Sequence, residues 1–191
     1  MTPSQPSDYV PVKIPCTEDV HAFVAFNLPM HEDMYLPDRS TAVGFEVLRV
    51  LRQKSKCVSK NRIKKAYDTH FIIGVRENQL LKFGTWITDS SLREMNLQLE
   101  SMLRERLHHF LLLNMKADDD YRVKDGINFW MTAIGIDDSM KKVDAYYRTF
   151  RNWRLRNHPE MMKKHGRPSR PSKWHHEKMF LESFPLNQHS A

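Results

Sequence analysis

A mainly α (α+β) fold is what this chain predicts: a small N-terminal module with a few short strands, then a helical C-terminal half and a basic tail. Three observations carry that expectation. Apolar residues recur three or four apart over 89–115, 121–134 and 138–157, the period of an amphipathic helix. β-branched and aromatic residues gather in two runs, 10–14 and 69–88, which suit short strands. Positive charge is segregated, with 12 Lys or Arg against 3 Asp or Glu in 141–180, and 8 against Glu46 alone in 46–65. The two clusters carry +16 of a whole-chain charge of +7, so the remainder nets −9. The organisation expected is a disordered start at 1–8, an α+β module at 9–88, a helical domain at 89–157 and a largely disordered basic tail at 158–191.

The first eight residues are polar and hold two prolines, so order is expected from Tyr9 onward. Val10 to Ile14 alternates in the manner of a strand. Thr17, with Glu18 and Asp19 behind it, suits a helix N-terminus, and Val20, Phe23, Val24 and Leu28 follow at helical spacing. Pro29 stops that helix, Met34 to Pro37 forms an extended link, and Asp38 or Ser40 caps a second helix with Val43, Val47, Leu48 and Leu51 as its apolar stripe. Residues 55–68 have many cations and little apolar content and are expected to form a loop. Residues 69–88 suggest two strands on either side of Glu77-Asn78, arranged as a hairpin.

The segment from Asp89 to Met115 is a long helix with Leu92, Met95, Leu99, Met102, Leu103, Leu107, Phe110 and Leu111 on one stripe. Ser90 or Ser91 is its expected cap, with Glu94 closing a capping box. Arg106 interrupts the stripe, which favours ordinary packing over a free coiled coil. A helix from Tyr121 to Ile134 buries Val123, Ile127, Trp130, Met131 and Ile134, and Gly135 stops it. Asp137, Asp138 and Ser139 are candidate caps for the last helix.

That pair of helices around Gly135 carries the functional reading. The second helix sets an aromatic stripe, Val143, Tyr146, Tyr147, Phe150 and Trp153, among Lys141, Lys142, Arg148, Arg151, Arg154 and Arg156. Such a helix can pack on its own domain and lay cations along phosphates or base edges. Helix, Gly-containing turn, helix resembles a helix-turn-helix unit in order and size. It departs from the usual pattern at Met131, where a small residue is expected, and at Asp144, where an apolar one is expected. Beyond it lies KKHGRPSRPSK, residues 163–173, whose His165, Gly166, Arg167 and Pro168 resemble the core of an AT-hook, with His165 in place of the first arginine. The resemblance implies an extended arm in which Arg167 and Arg170 probe the minor groove of duplex DNA.

Other classes find little footing. Neither GxxxxGK[ST] nor GxGxxG occurs among only six glycines, so a nucleotide-dependent enzyme is not expected. Cys16 and Cys57 form no CxxC, and His108, His109, His175 and His176 have no partners at zinc spacing, so neither metal nor cofactor is expected. Asp118 to Asp120 and Asp137 with Asp138 are read as solvated turns and caps, and no catalytic residue is assigned. No run approaches the roughly 18 apolar residues of a membrane span. The opening MTPSQPSDYV lacks the layout of a secretory signal. The location expected is therefore cytoplasmic and nucleoid-associated, or nuclear in a eukaryote.

The expectation is a non-enzymatic DNA-binding protein, a transcriptional regulator or nucleoprotein accessory factor of the kind a phage or mobile element carries. Its partner is double-stranded DNA, since clustered cations gain affinity by releasing counterions from phosphates. Two alternatives stand beside it. One is a structural or adaptor protein that meets a protein partner, or a second copy of itself, through helix 89–115. The other is an RNA-binding protein that stacks bases on Tyr147, Trp153 and Trp174.

Overall fold

The computed structural model describes residues 9–52, 67, 69–84, 86–118 and 120–159. The expected disordered start, the basic loop at 55–68 apart from Tyr67, and the arm with Arg167, Arg170 and Trp174 lie outside the described residues. The described chain is mostly helical, with six helices and short strands in a four-stranded and a two-stranded sheet. It divides into two compact units, Met1–Ser101 and Met102–Ala191.

The first unit begins with β1 (Tyr9–Cys16), α1 (Glu18–Asn27), β2 (Met30–His31), β3 (Met34–Tyr35), α2 (Ala42–Arg49) and β4 (Leu51–Arg52). It continues with β5 (Thr69–Arg76), α3 (Glu77–Phe83), β6 (Trp86–Ile87) and the start of α4 (Asp89–Ala117). The larger sheet runs β1-β5-β3-β2. β1 and β5 pair antiparallel over their whole length, from Tyr9 opposite Arg76 to Cys16 opposite Thr69, while β3 meets β5 in parallel at Tyr35 and Ile73. Alternate residues Val12, Ile14 and Cys16 of β1 and Phe71, Ile73 and Val75 of β5 are buried, so one face of the sheet makes the core. Val20, Phe23 and Val24 of α1 are buried too, as are Val43, Val47 and Leu48 of α2 and Leu92, Met95 and Leu99 of α4. Pro11 and Pro15 stand in β1, an edge strand of this sheet, where a residue without an N–H costs no ladder bond and blunts pairing with a further strand.

Several local expectations change for identifiable reasons. The second half of 69–88 is not the return strand of a hairpin: β5 ends at Arg76, and α3 takes its place. The Gln79 side chain accepts from the Arg76 backbone N–H at 3.2 Å and opens a helical turn, and Asn78 to Lys82 contain no β-branched residue to resist it. β6 then pairs with β4, not β5. The extended link at 34–37 begins as β3, which forms a tight hairpin with β2 across Glu32 and Asp33, both at positive φ. Helix α2 is capped by Thr41, whose hydroxyl oxygen accepts from Gly44 N–H at 3.0 Å, while the Asp38 carboxylate holds the preceding turn through Ser40 N–H. At α4 the capping pair is Thr88 and Ser91. Ser91 N–H donates to Thr88 Oγ1 and Thr88 N–H to Ser91 Oγ, leaving Glu94 to pair with Arg49 at 2.5 Å.

Buried Asn96 ties α4 to the corner between β1 and α1. Its Oδ1 accepts from Thr17 N–H at 3.2 Å, and its Nδ2 donates to Leu92 O at 2.9 Å and Pro15 O at 3.4 Å. Thr17 stands at the N-cap of α1 as expected, yet its hydroxyl donates to Glu100 instead of accepting from its own helix.

The second unit holds the rest of α4, α5 (Val123–Ile134) and α6 (Met140–Asn157). Leu103, Leu107, Phe110 and Leu111 of α4 are buried, as are Ile127, Trp130, Met131 and Ile134 of α5 and Val143 and Phe150 of α6. Phe110 lies against Trp130 and Phe129, with ring centroids 5.1 and 6.1 Å away. Gly135 ends α5 at φ 76°, and Ile136 N–H donates to Met131 O while Gly135 N–H donates to Thr132 O. This Schellman closure buries Ile136 and aims the chain into α6. The α5 helix starts at Val123 and not at Tyr121, because the Tyr121 ring packs directly over Gly126.

Two glycines give contrasting tests. A Cβ on Gly44 would collide with the backbone of Asp38, which cannot retreat. Gly44→Ala is expected to destabilise the protein by about 1–3 kcal/mol or more, as overpacking does. A Cβ on Gly135 meets nothing within 4 Å. Gly135→Ala is expected to cost only the left-handed backbone penalty, about 1–2 kcal/mol. Denaturant midpoints of the two variants check both.

Candidate nucleic-acid interface

The site is built from the inner face of α6 outward. At about 100° per residue, Val143, Phe150 and Arg154 fall within about 40° of one another around the axis. These are the buried residues of the helix, with Tyr146, Tyr147 and Trp153 half-buried on either side. His108 of α4 is buried against this face, its ring centroid 5.6 Å from Phe150 and 5.0 Å from Trp153. Trp153 also contacts His109 and His158 at 6.2 and 5.3 Å.

Arg154, expected from the sequence to contact nucleic acid, belongs to that inner face. It is 7% exposed. Its guanidinium lies over the Phe150 ring at 5.7 Å, and Nη1 donates to Met115 Sδ at 3.3 Å. A helix with arginines at 148, 151, 154 and 156 must turn one of them inward, because 150 and 154 are four apart and share a face. Lys142 is half-buried, on the flank of the helix.

Lys141, Arg148, Arg151 and Arg156 are exposed. Among the described residues none of the four stands in an ion pair. The acidic side chain of α6, Asp144, is held elsewhere. Its Oδ1 accepts from Lys124 Nζ of α5 at 2.8 Å, and that bond, more than the nearby Arg148, keeps its carboxyl below the usual range. Lys124 is in turn raised by the same bond. The arrangement leaves Lys141, Arg148 and Arg156 on the outward face over about 22 Å of helix, with Arg151 exposed on its flank.

The first basic cluster contrasts with this. Of its described cations, Arg49 bridges Glu46 at 3.3 Å and Glu94, and Arg52 turns onto the carbonyl oxygens of Arg49 and Leu51. These arginines close their own helix end. Lys54 to Lys65 lie outside the described residues, as do Arg167 and Arg170.

Sequence reasoning missed Ala145 and Asn152, which share the outward face with the cations. Both are exposed. The signal was present in their spacing, since 141, 145, 148, 152 and 156 form a row three and four apart. The apolar stripe of α4, by contrast, is taken up inside the chain, with Leu92, Leu99, Leu103 and Leu107 at most 1% exposed. Among the described residues no three His, Cys, Asp or Glu side chains gather as a metal would require. No described helix is long and apolar enough to cross a membrane.

No protein-family model matches the chain, and neither the curated proteins nor the solved structures contain a significant match to it.

The inner face titrates. Burial, then the Arg104 charge and His109, push the His108 imidazole down from 6.5 to about 4, and its Nε2 is buried with no hydrogen-bond partner among the described residues. A neutral folded His108 contributes fully above pH 6.5. As pH falls from 6.5 towards 4 the unfolded chain takes up a proton that the folded chain refuses, so stability is lost across that window. Allowing for solvent screening, the loss is on the order of 2 kcal/mol. His108→Phe is expected to remove this part of the pH dependence. Denaturant unfolding at about pH 7, 6 and 5 checks it, and parallel pH profiles for the two proteins would contradict it.

Proposed function

We propose that the protein binds double-stranded DNA through the outward face of α6 and acts by binding, not by catalysis. The observation that carries this reading is the set of exposed cations, Lys141, Arg148 and Arg156 on the outward face and Arg151 on its flank, of a helix whose buried side is anchored in its own unit and whose acidic residue is neutralised by Lys124. Such a surface attracts a polyanion and gains affinity by counterion release. In this reading α5, Gly135 and α6 serve as a helix-turn-helix-like unit. Lys142 assists from the flank, and Arg167 and Arg170 extend the footprint into the minor groove. The role is that of a transcriptional regulator or nucleoprotein accessory factor, as in a phage or mobile element, located with DNA in the cytoplasm or nucleus.

The geometry favours duplex DNA over the alternatives. Base stacking on RNA needs open ring faces, whereas Trp153 is packed among His108, Phe150 and His158, and Lys124 lies 5.5 Å from the Tyr147 ring. An adaptor docking through 89–115 needs an apolar stripe open to a partner, and that stripe is buried.

Changing Lys141, Arg148, Arg151 and Arg156 together to Gln is expected to weaken duplex binding at least about tenfold near 0.1 M salt. The slope of log affinity against log salt should become shallower by up to about 0.9 for each phosphate that the variant leaves unneutralised. Arg154→Met should leave that slope unchanged. Fluorescence anisotropy with a labelled duplex across a salt series, with circular dichroism as a control for folding, makes the comparison. Equal slopes for the fourfold variant and the parent would refute the assignment to α6.

A further inference from the structure

Resting on that reading, we propose that Asn152 is the residue through which the protein discriminates sequence, by a paired hydrogen bond to adenine in the major groove. Position, the state of the amide and clearance around it all lead there.

The buried residues Val143, Phe150 and Arg154 define the inward direction of α6. At about 100° per residue, Lys141, Ala145, Arg148, Asn152 and Arg156 cover an arc of about 80° whose centre lies opposite that direction, with Asn152 at the centre. A helix that approaches a groove with this face brings Asn152 deepest. Arg148 and Arg156, one turn before and one turn after it, are placed to reach the phosphates that flank the groove.

The amide itself is open. Four other asparagines turn their Nδ2 onto the carbonyl four residues back: Asn27 to Phe23, Asn96 to Leu92, Asn114 to Phe110 and Asn157 to Trp153, at 2.7 to 2.9 Å. Asn152 does not. It is exposed, and among the described residues its donor and acceptor have no partner. A side-chain amide that offers one donor and one acceptor side by side matches N7 and N6–H of adenine.

Clearance comes from Ala145, which lies on the same face towards the N-terminus, is exposed and carries only a methyl group. It lets the helix axis approach the base edges and can itself meet a thymine methyl. The N-terminal end is less suited to this task. There Asp137 and Asp138 are exposed, and their charge opposes approach to phosphates. Base reading therefore falls to the middle of α6 and not to its first turn.

The test is selection from a library of duplex DNA with a randomised central stretch, using the full chain and an Asn152→Ala variant. Asn152 is exposed and alanine is the better helix former, so the variant should fold. The expected result is a motif with a strongly preferred adenine for the parent. The variant should lose preference at that position alone, with a drop in affinity of about tenfold or more for the selected site and less than about twofold for unselected duplex. A motif kept unchanged by the variant would overturn the assignment of Asn152. Binding of the parent without any enriched motif would overturn base reading while leaving DNA binding intact. Absence of duplex binding even at low salt would remove the reading on which the inference rests.

Discussion

The rotation of α6 about its own axis is the constraint on which the functional surface depends, and packing of its inner face sets it. Val143, Phe150 and Arg154 are the residues that this helix withdraws from solvent, and His108 fills the space against Phe150 and Trp153. A turn of the helix by one residue, about 100°, would carry Phe150 into water and an exposed arginine into the apolar interior. Both moves are unfavourable by several kcal/mol, because a buried aromatic side chain and an unpaired charge are each costly to misplace. The orientation of the cations is thus a consequence of apolar packing and not of any attraction among them.

Arg154 shows how a charge can serve that packing. Its guanidinium is planar and weakly hydrated, so it can lie against Phe150 and reach Met115 Sδ where an ammonium would demand water. Asp144 is the complementary case, an acid on a cationic helix whose field is cancelled by Lys124 on the neighbouring helix. Together they separate the helix into a structural charge, a compensated charge and an exposed set. Net charge alone treats all of these as equal.

In the first unit, side chains that resemble helix caps are drawn into tertiary contacts. Thr17 gives its backbone N–H to Asn96 and its hydroxyl proton to Glu100, so the start of α1 is tied to α4. Asn96 is buried with its amide N–H groups shared between the end of β1 and its own helix, which makes a polar residue part of the core without leaving its donor unmet. Glu94 is drawn to Arg49 in the same way. Local capping chemistry and long-range contacts compete for the same atoms: at the start of α1 the long-range contacts prevail, while at α4 the local Thr88–Ser91 pair caps the helix and frees Glu94 for Arg49.

The mainly helical character, the long helix at 89–115, the stop at Gly135 and the apolar stripes were legible in the sequence, because periodicity and a left-handed glycine stop are local properties of the chain. So was the concentration of cations in the last helix. Other features were not. The fate of residues 77–83 turned on whether Gln79 reached the Arg76 N–H, a contact between neighbours that propensity averages away. Which arginine of 148, 151, 154 and 156 faced inward depended on partners far back in the chain, Met115 lying 39 residues before Arg154. The row through Ala145 and Asn152 gained meaning only once the buried face had fixed which direction is outward. Sequence alone determined which residues could be buried and where charge accumulates, since hydrophobic period and composition are written into the chain. The tertiary structure alone decided which charges remain exposed, because that depends on the neighbours a side chain meets after folding.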